Sequence, residues 1–210
     1  MITVLGISGS QRRPSRTHTL LEIALSAARD SGARVELLDL LTLPLPMYEP
    51  SQDSFAPHIK ELSERIADAH AYIIGTPVYY GGMSGLLKNL FDHLIEEISG
   101  KVAGLLVTTG SGQGSTTFLQ LRDILSYFHT WALPYGVESG TDDFDEAGNL
   151  TAPRVRDRLL RLGRDVTVYG ELLHEQYMRD RIPGGGTHLG FAPWLPAASH
   201  NAHTPCPDNS

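Results

Sequence analysis

Short apolar runs alternate along this chain with longer stretches in which apolar residues return every three or four positions. Residues 2–7 read as a buried strand, closed by the turn-forming Ser8, Gly9 and Ser10. Leu20, Leu21, Ala24, Leu25 and Ala28 then share one helical face until Gly32 supplies a stop. A short second strand at 35–38 precedes a helix marked by Ile59, Leu62, Ile66 and Ala69, and a third strand at 71–75 follows. Beyond the loop 77–82, Leu86, Leu87, Leu90, Phe91, Leu94 and Ile95 mark a third helix. The fourth strand, 102–107, is apolar throughout, as a central strand of a parallel sheet should be. A Gly/Ser loop leads into a helix through Phe118, Leu121, Leu125 and Phe128. Pro134 and Gly136 assign the fifth strand, 133–137, to a sheet edge. A polar excursion at 140–149 ends in a long helix carrying Val155, Leu159, Leu162, Val166 and Tyr169 in register.

Five strands alternating with five helices predict an open parallel α/β sheet, and right-handed crossovers place helices on both of its faces. No segment repeats. The predicted domain spans residues 1–178. Residues 179–210 are rich in Gly, Pro, Ala, His and Asn without a period, and are expected to form an irregular arm or tail.

Composition narrows the function. At 210 residues with 41% hydrophobic content, the chain can bury the core of one domain. No run approaches the roughly 18 apolar residues that a membrane span requires. The start, MITVLGISGS, has neither the basic stretch nor the cleavage site of a signal peptide, so a cytoplasmic location is expected. A single cysteine, Cys206, leaves no internal disulfide framework and no multi-cysteine metal site. The net charge of −7 opposes a nucleic-acid role, because phosphate neutralisation needs a basic surface. Against this acidic background Arg12, Arg13 and Arg16 cluster closely, which points to a small anionic ligand rather than a polyanion; a solvated surface loop is the competing account.

In such a sheet, ligands sit outside the carboxyl ends of the strands. Three loops fall there. The first, with Gly9, Ser10, Arg12, Ser15, Thr17 and His18, joins a strand to a helix N-terminus, a ready anion site. Ser10, Ser15 and Thr17 add hydroxyls, Arg12 adds a charged fork, and His18 is within reach of the same anion. Lacking G-x-G-x-x-G and the Gly-Lys-Ser/Thr of a P-loop, it suits one phosphate, not a pyrophosphate. In the second, Pro77 stiffens the strand exit, Gly81 permits close approach, and Val78, Tyr79 and Tyr80 can flank a planar ring. The third, with Thr109, Gly110, Ser111, Gly112 and Gly114, bares backbone amides that can read the polar edge of a flat heterocycle. Together they describe a pocket for a flat ring with a monophosphate tail, the shape of FMN.

At these residues the chain resembles the NADPH-dependent FMN reductase family. The family's first loop, G-S-x-R-x-x-S-x-N-x-x-L, is matched by Gly9, Ser10, Arg12, Ser15 and Leu20, with Thr17 in place of the asparagine. Its second, T-P-x-Y-x-x-x-x-x-G-x-L-K-N, is matched by Thr76, Pro77, Tyr79, Gly85, Leu87, Lys88 and Asn89, with Val78 where glutamate is frequent. The resemblance implies a flavodoxin-like three-layer sandwich with sheet order 2-1-3-4-5. It implies FMN as cofactor, with Ser10, Arg12, Ser15 and Thr17 on its phosphate, 77–81 along the ribityl chain and ring, and 109–114 at the pyrimidine edge. It also implies hydride transfer from NADPH or NADH, followed by release of electrons to free flavin, a quinone, an azo dye or a metal ion. A flavin-dependent monooxygenase is an implied partner in some members, and a homodimer or homotetramer the implied assembly. Hydride reaches flavin N5 without an acid or base, so no catalytic side chain is assigned.

Two rival classes share the fold: an electron-carrying flavodoxin without its own nicotinamide site, and a cofactor-free regulatory domain. The Arg-bearing first loop favours the reductase. His200, His203 and Cys206 have metal-like spacing but no obvious fourth ligand, so no metal is assigned, and Asp142, Asp143, Asp145 and Glu146 do not match an EF-hand loop. Phe191 and Trp194 mark the arm for docking on a neighbouring subunit.

Overall fold

The computed structural model describes residues 1–43, 45–50, 57–110 and 113–180. Its strands are β1 (Thr3–Ser8), β2 (Arg34–Asp39), β3 (Ala71–Pro77), β4 (Val102–Thr108) and β5 (Trp131–Ser139). Its helices are α1 (Arg16–Asp30), α2 (Pro57–Asp68), α3 (Gly85–His93), α4 (Ser115–Tyr127) and α5 (Pro153–Asp180). All neighbouring strands pair in parallel in the order β2-β1-β3-β4-β5. This is the flavodoxin-like order, in which the strand direction of winding reverses beside β1. The stretch 181–210, with Phe191, Trp194, His200, His203 and Cys206, lies outside the described residues.

Alternation along the central strands divides the core in two. Val4, Ile73 and Leu106 face α1 and α5, meeting Leu20, Leu21, Ala24, Leu159, Leu162 and Val166. Leu5, Ile7, Tyr72, Ile74 and Leu105 face the other way, onto Ile66, Leu87, Leu90, Leu121 and Leu125. The α1–α5 contact is close because Gly163 has no side chain. A Cβ there would fall on the Ala24 carbonyl oxygen and reach to 2.9 Å from Ala27 Cβ.

Local departures from the expected pattern have physical reasons. Leu94 caps α3 at its C-terminus, and Ile95 turns out to solvent. Tyr169 is exposed as well; the buried face of α5 passes instead through Gly170, which packs on Ala71 and Ile2. Strand β5 is longer than predicted, and its pairing with β4 slips between Ala103 and Leu105. The slip brackets Pro134, which has no N–H to give the ladder. Arg122 from α4 and Arg158 from α5 donate to the Leu133 and Gly136 carbonyls at 2.6 Å each, so polar groups around the irregularity are not left bare.

The amino-terminal edge of the sheet gathers Lys101, His70 and His174. Lys101 Nζ donates to the Ala67 and Glu97 carbonyls and to Tyr72 Oη, at 2.6, 2.7 and 3.0 Å. Burial pulls its pKa down to about 7, against the opposing pull of Glu97 and Asp68. His70 exchanges two bonds with Thr3: its N–H donates to the Thr3 carbonyl, and its Nδ1 accepts from the Thr3 N–H at 3.1 Å. His174 meets His70 edge-on, with ring centres 4.3 Å apart. Burial lowers both histidines' pKa values, and the Lys101 and amino-terminal charges add to it, Asp68 opposing at His70 and Glu171 and Glu175 at His174.

Two outcomes follow from these contacts. Both histidines take up a proton less readily in the fold than in the unfolded chain, whose histidines titrate near 6.5, so stability falls as pH drops below that value. Lys101 acts in the same sense higher up, between its ordinary 10.5 and about 7. Urea unfolding followed from about pH 8 to about pH 5 is expected to show this decline, and His70→Asn, which keeps an acceptor for Thr3, to flatten its lower part. Gly163→Ala is expected to cost about 1–3 kcal/mol by overpacking, outweighing its gain in helix propensity; an unchanged unfolding midpoint would contradict the packing described.

Candidate cofactor site

The carboxyl ends of β1, β3 and β4 bring the three predicted loops to one edge. The Gly9 N–H ties the first loop to the Gly75 carbonyl at 2.8 Å. A Cβ on Gly9 would lie 2.8 Å from Ser84 Oγ and 2.9 Å from Leu87 Cβ, so only glycine passes under the loop. Ser10 Oγ accepts the Arg12 N–H at 3.3 Å. Ser15 caps α1, its Oγ accepting the His18 N–H at 3.2 Å. Each hydroxyl therefore has an internal donor on one lone pair and keeps its own proton to give.

The arginines divide by partner. Arg13 pairs with Asp39 and also donates to the Arg12 carbonyl at 3.1 Å. Arg16 donates to Thr141 Oγ1 at 2.9 Å and lies over the Phe144 ring. Among the described residues the Arg12 guanidinium alone in this cluster has no internal partner. The sequence treated the cluster as one basic spot; two of its three charges are committed inside the fold.

Two expected members of the phosphate site are placed differently. Thr17 is buried, and its hydroxyl bonds Thr108 Oγ1 at 2.7 Å, locking α1 to the end of β4. Its Cγ2 packs against Gly75. Thr17 thus turns its hydroxyl to the interior, as its position in the first turn of a helix lying on the sheet requires. His18 sits between carboxylates, Nε2 3.5 Å from Glu22 and Nδ1 3.7 Å from Asp39. Its Nδ1 is buried and bears no hydrogen bond.

The second loop extends the sheet by one bond, Val78 N–H to the Thr108 carbonyl at 2.8 Å. Tyr79 and Gly82 then exchange bonds of 2.9 and 3.0 Å across a tight turn. At its tip Tyr80 (φ 50°) and Gly81 (φ 79°) both take left-handed conformations. Glycine does this freely; tyrosine does it at a cost of roughly 1 kcal/mol or more. Val78 and Tyr79 are half-buried, while the Tyr80 side chain is 111% exposed. Thr116 of α4 steadies the tip by donating to the Gly81 carbonyl at 2.8 Å.

In the third loop the Thr109 N–H is taken by the Ser139 carbonyl at 2.9 Å. The Gly114 N–H is taken by Glu138 Oε1, also at 2.9 Å. Glu138 thereby supplies the negative charge that the uncapped N-terminus of α4 lacks. These two amides are not bare, contrary to expectation. Ser111 and Gly112 lie outside the described residues. The Gly110 N–H has no acceptor among the described residues. Sequence reasoning missed Asp39, Glu138 and Thr141. The first two close strands β2 and β5 at this same edge, and that position was the available signal. Asp143 and Asp145 spend their carboxylates on local turns, and no group of three or more metal-type side chains gathers among the described residues.

A flavodoxin-like sheet with a donor-lined first loop and an aromatic second loop defines a nucleotide-cofactor protein. The NADPH-dependent FMN reductase model matches residues 2–142, and the chain belongs to that family. It is 31% identical over 190 residues to the NAD(P)H-dependent FAD/FMN reductase of Geobacillus thermodenitrificans, covering 88% of this chain and 97% of that protein. It is 31% identical over 144 residues to the FMN-dependent NADPH-azoreductase of Staphylococcus aureus, covering 66% and 77%. An oxidoreductase of Corynebacterium diphtheriae superposes with a TM-score of 0.69 at 24% identity, over 83% of this chain and 98% of that one, a likeness of fold.

Proposed function

We propose that the three loops hold FMN and that the chain takes hydride from NADPH or NADH and passes the electrons to a small-molecule acceptor. One observation carries the site. Ser10 and Ser15 each accept one backbone N–H and keep the hydroxyl proton to donate, and the Arg12 guanidinium can only donate. Three such donors beside a helix N-terminus fit a phosphate dianion. Val78, Tyr79 and Tyr80 line the ring, and the Gly110 N–H donates at its polar edge. FMN held there supplies the hydride-accepting chemistry. The chain's task is placement, so no acid–base residue is assigned. The name of the azoreductase relative supports an azo compound among acceptors, with a quinone, or free flavin for a partner monooxygenase, the alternatives.

Flavin affinity tests the anchor. Arg12→Ala combined with Ser15→Ala is expected to weaken FMN about 100-fold while leaving riboflavin nearly untouched, because only FMN carries the phosphate. The purified, FMN-loaded chain is expected to oxidise NAD(P)H in air. A chain that binds FMN no more tightly than riboflavin refutes the site; one that binds FMN without oxidising either nucleotide is a carrier.

The assembly we propose is a homodimer formed across α4. Tyr80, Leu119 and Tyr127 are 111%, 67% and 79% exposed, and α4 is tied to the Tyr80 turn through Thr116 and Gly81. A second copy there covers the apolar side chains and closes the outer wall of the ring site. Sedimentation is expected to give a dimer that Leu119→Glu dissociates, and a monomeric wild-type chain would refute this surface.

A further inference from the structure

Arg16 enters the site from the first residue of α1, yet its charge is spent across the gap between loops. Its Nη1 donates to Thr141 Oγ1 at 2.9 Å, and its Cζ lies 5.3 Å from the centre of the Phe144 ring. A guanidinium can only donate, so the Thr141 hydroxyl must accept from it. The hydroxyl proton is thereby directed to the Gly110 carbonyl, 3.3 Å away.

Thr141 is a firm support for this relay. It opens the 3-10 turn Thr141–Asp143, which Asp143 pins from both sides. Asp143 Oδ2 accepts the Gly140 N–H at 2.8 Å and the Ser139 hydroxyl at 3.0 Å, and its carbonyl accepts the Thr151 N–H at 2.8 Å. Phe144, packed in the core, holds the other end of the turn. Gly110 is the opposite case. A Cβ there would have no neighbour within 4 Å, so packing does not fix its peptide plane.

Resting on the flavin reading above, we infer that Arg16 is a positioning residue, not a phosphate ligand. Through Thr141 it orients the Gly110 carbonyl and so sets the loop at the polar edge of the ring. The same side chain grows from the helix that the phosphate loop feeds, so the two ends of the cofactor site are built to one spacing. Thr141 belongs to the cofactor site through the Gly110 carbonyl that it orients.

Dissociation constants for FMN and riboflavin, read by flavin fluorescence, separate the roles. Arg16→Ala and Thr141→Val are each expected to weaken both flavins by the same factor, about three- to tenfold, as loss of one hydrogen bond implies. The double variant is expected to lose no more than either single one. The visible absorption of bound riboflavin is expected to shift in both variants, a change that global destabilisation does not produce. Thr141→Ser, which restores the hydroxyl, is expected to return affinity and spectrum to wild-type values.

If Arg16→Ala weakens FMN but spares riboflavin, Arg16 is a phosphate ligand and the inference is overturned. Additive losses in the double variant, or a Thr141→Ser chain as weak as Thr141→Val, overturn it too. An unchanged FMN-to-riboflavin ratio in Arg12→Ala would instead defeat the flavin reading itself.

Discussion

Strands β1, β3 and β4 are covered by helices on both faces, and almost every side chain along them is buried. Polar chemistry in such a sheet is confined to strand ends, because a polar group along the strand would be buried without solvent. The polar loops of the proposed site therefore gather where strands stop. Gly9 under Ser84, Pro77 at the exit of β3 and Thr108 at the end of β4 mark that boundary. The loops beyond it are free of the sheet's apolar demand, but each must still satisfy its own backbone groups.

That second demand decides which loop groups remain for a ligand. The Thr109 and Gly114 amides are consumed by Ser139 and Glu138. Arg13 is consumed by Asp39, and Arg16 by Thr141 and Phe144. Among the described residues, the groups left to donate include the protons of Ser10 and Ser15, the Arg12 guanidinium and the Gly110 N–H. The loops are rich in polar residues, yet most of them hold one another in place. A charge-assisted contact from a residue so held costs less ordering on binding than one from a free side chain.

The opposite edge of the sheet answers the same confinement differently. Lys101 instead buries its amine against two carbonyls and the Tyr72 hydroxyl, near the edge-on His70–His174 pair. One edge keeps donors for the proposed ligand; at the other, Lys101, Tyr72 and His70 spend theirs on closing the fold.

The amino-acid order by itself determined the layering, the buried faces of the helices and the assignment of β5 to an edge, since each rests on local periodicity or on proline. It also determined the first-loop motif, whose residues are close in the chain and whose types alone imply an anion. Periodicity could not see where Tyr169 or Ile95 points, because a helix face is decided by what lies across from it. Nor could it see that Thr17 faces Thr108, 91 positions away, or that Arg16 meets Thr141, 125 positions away. Whether a polar side chain serves a ligand or the protein depends on which acceptors the fold brings beside it, and only the tertiary structure decided that.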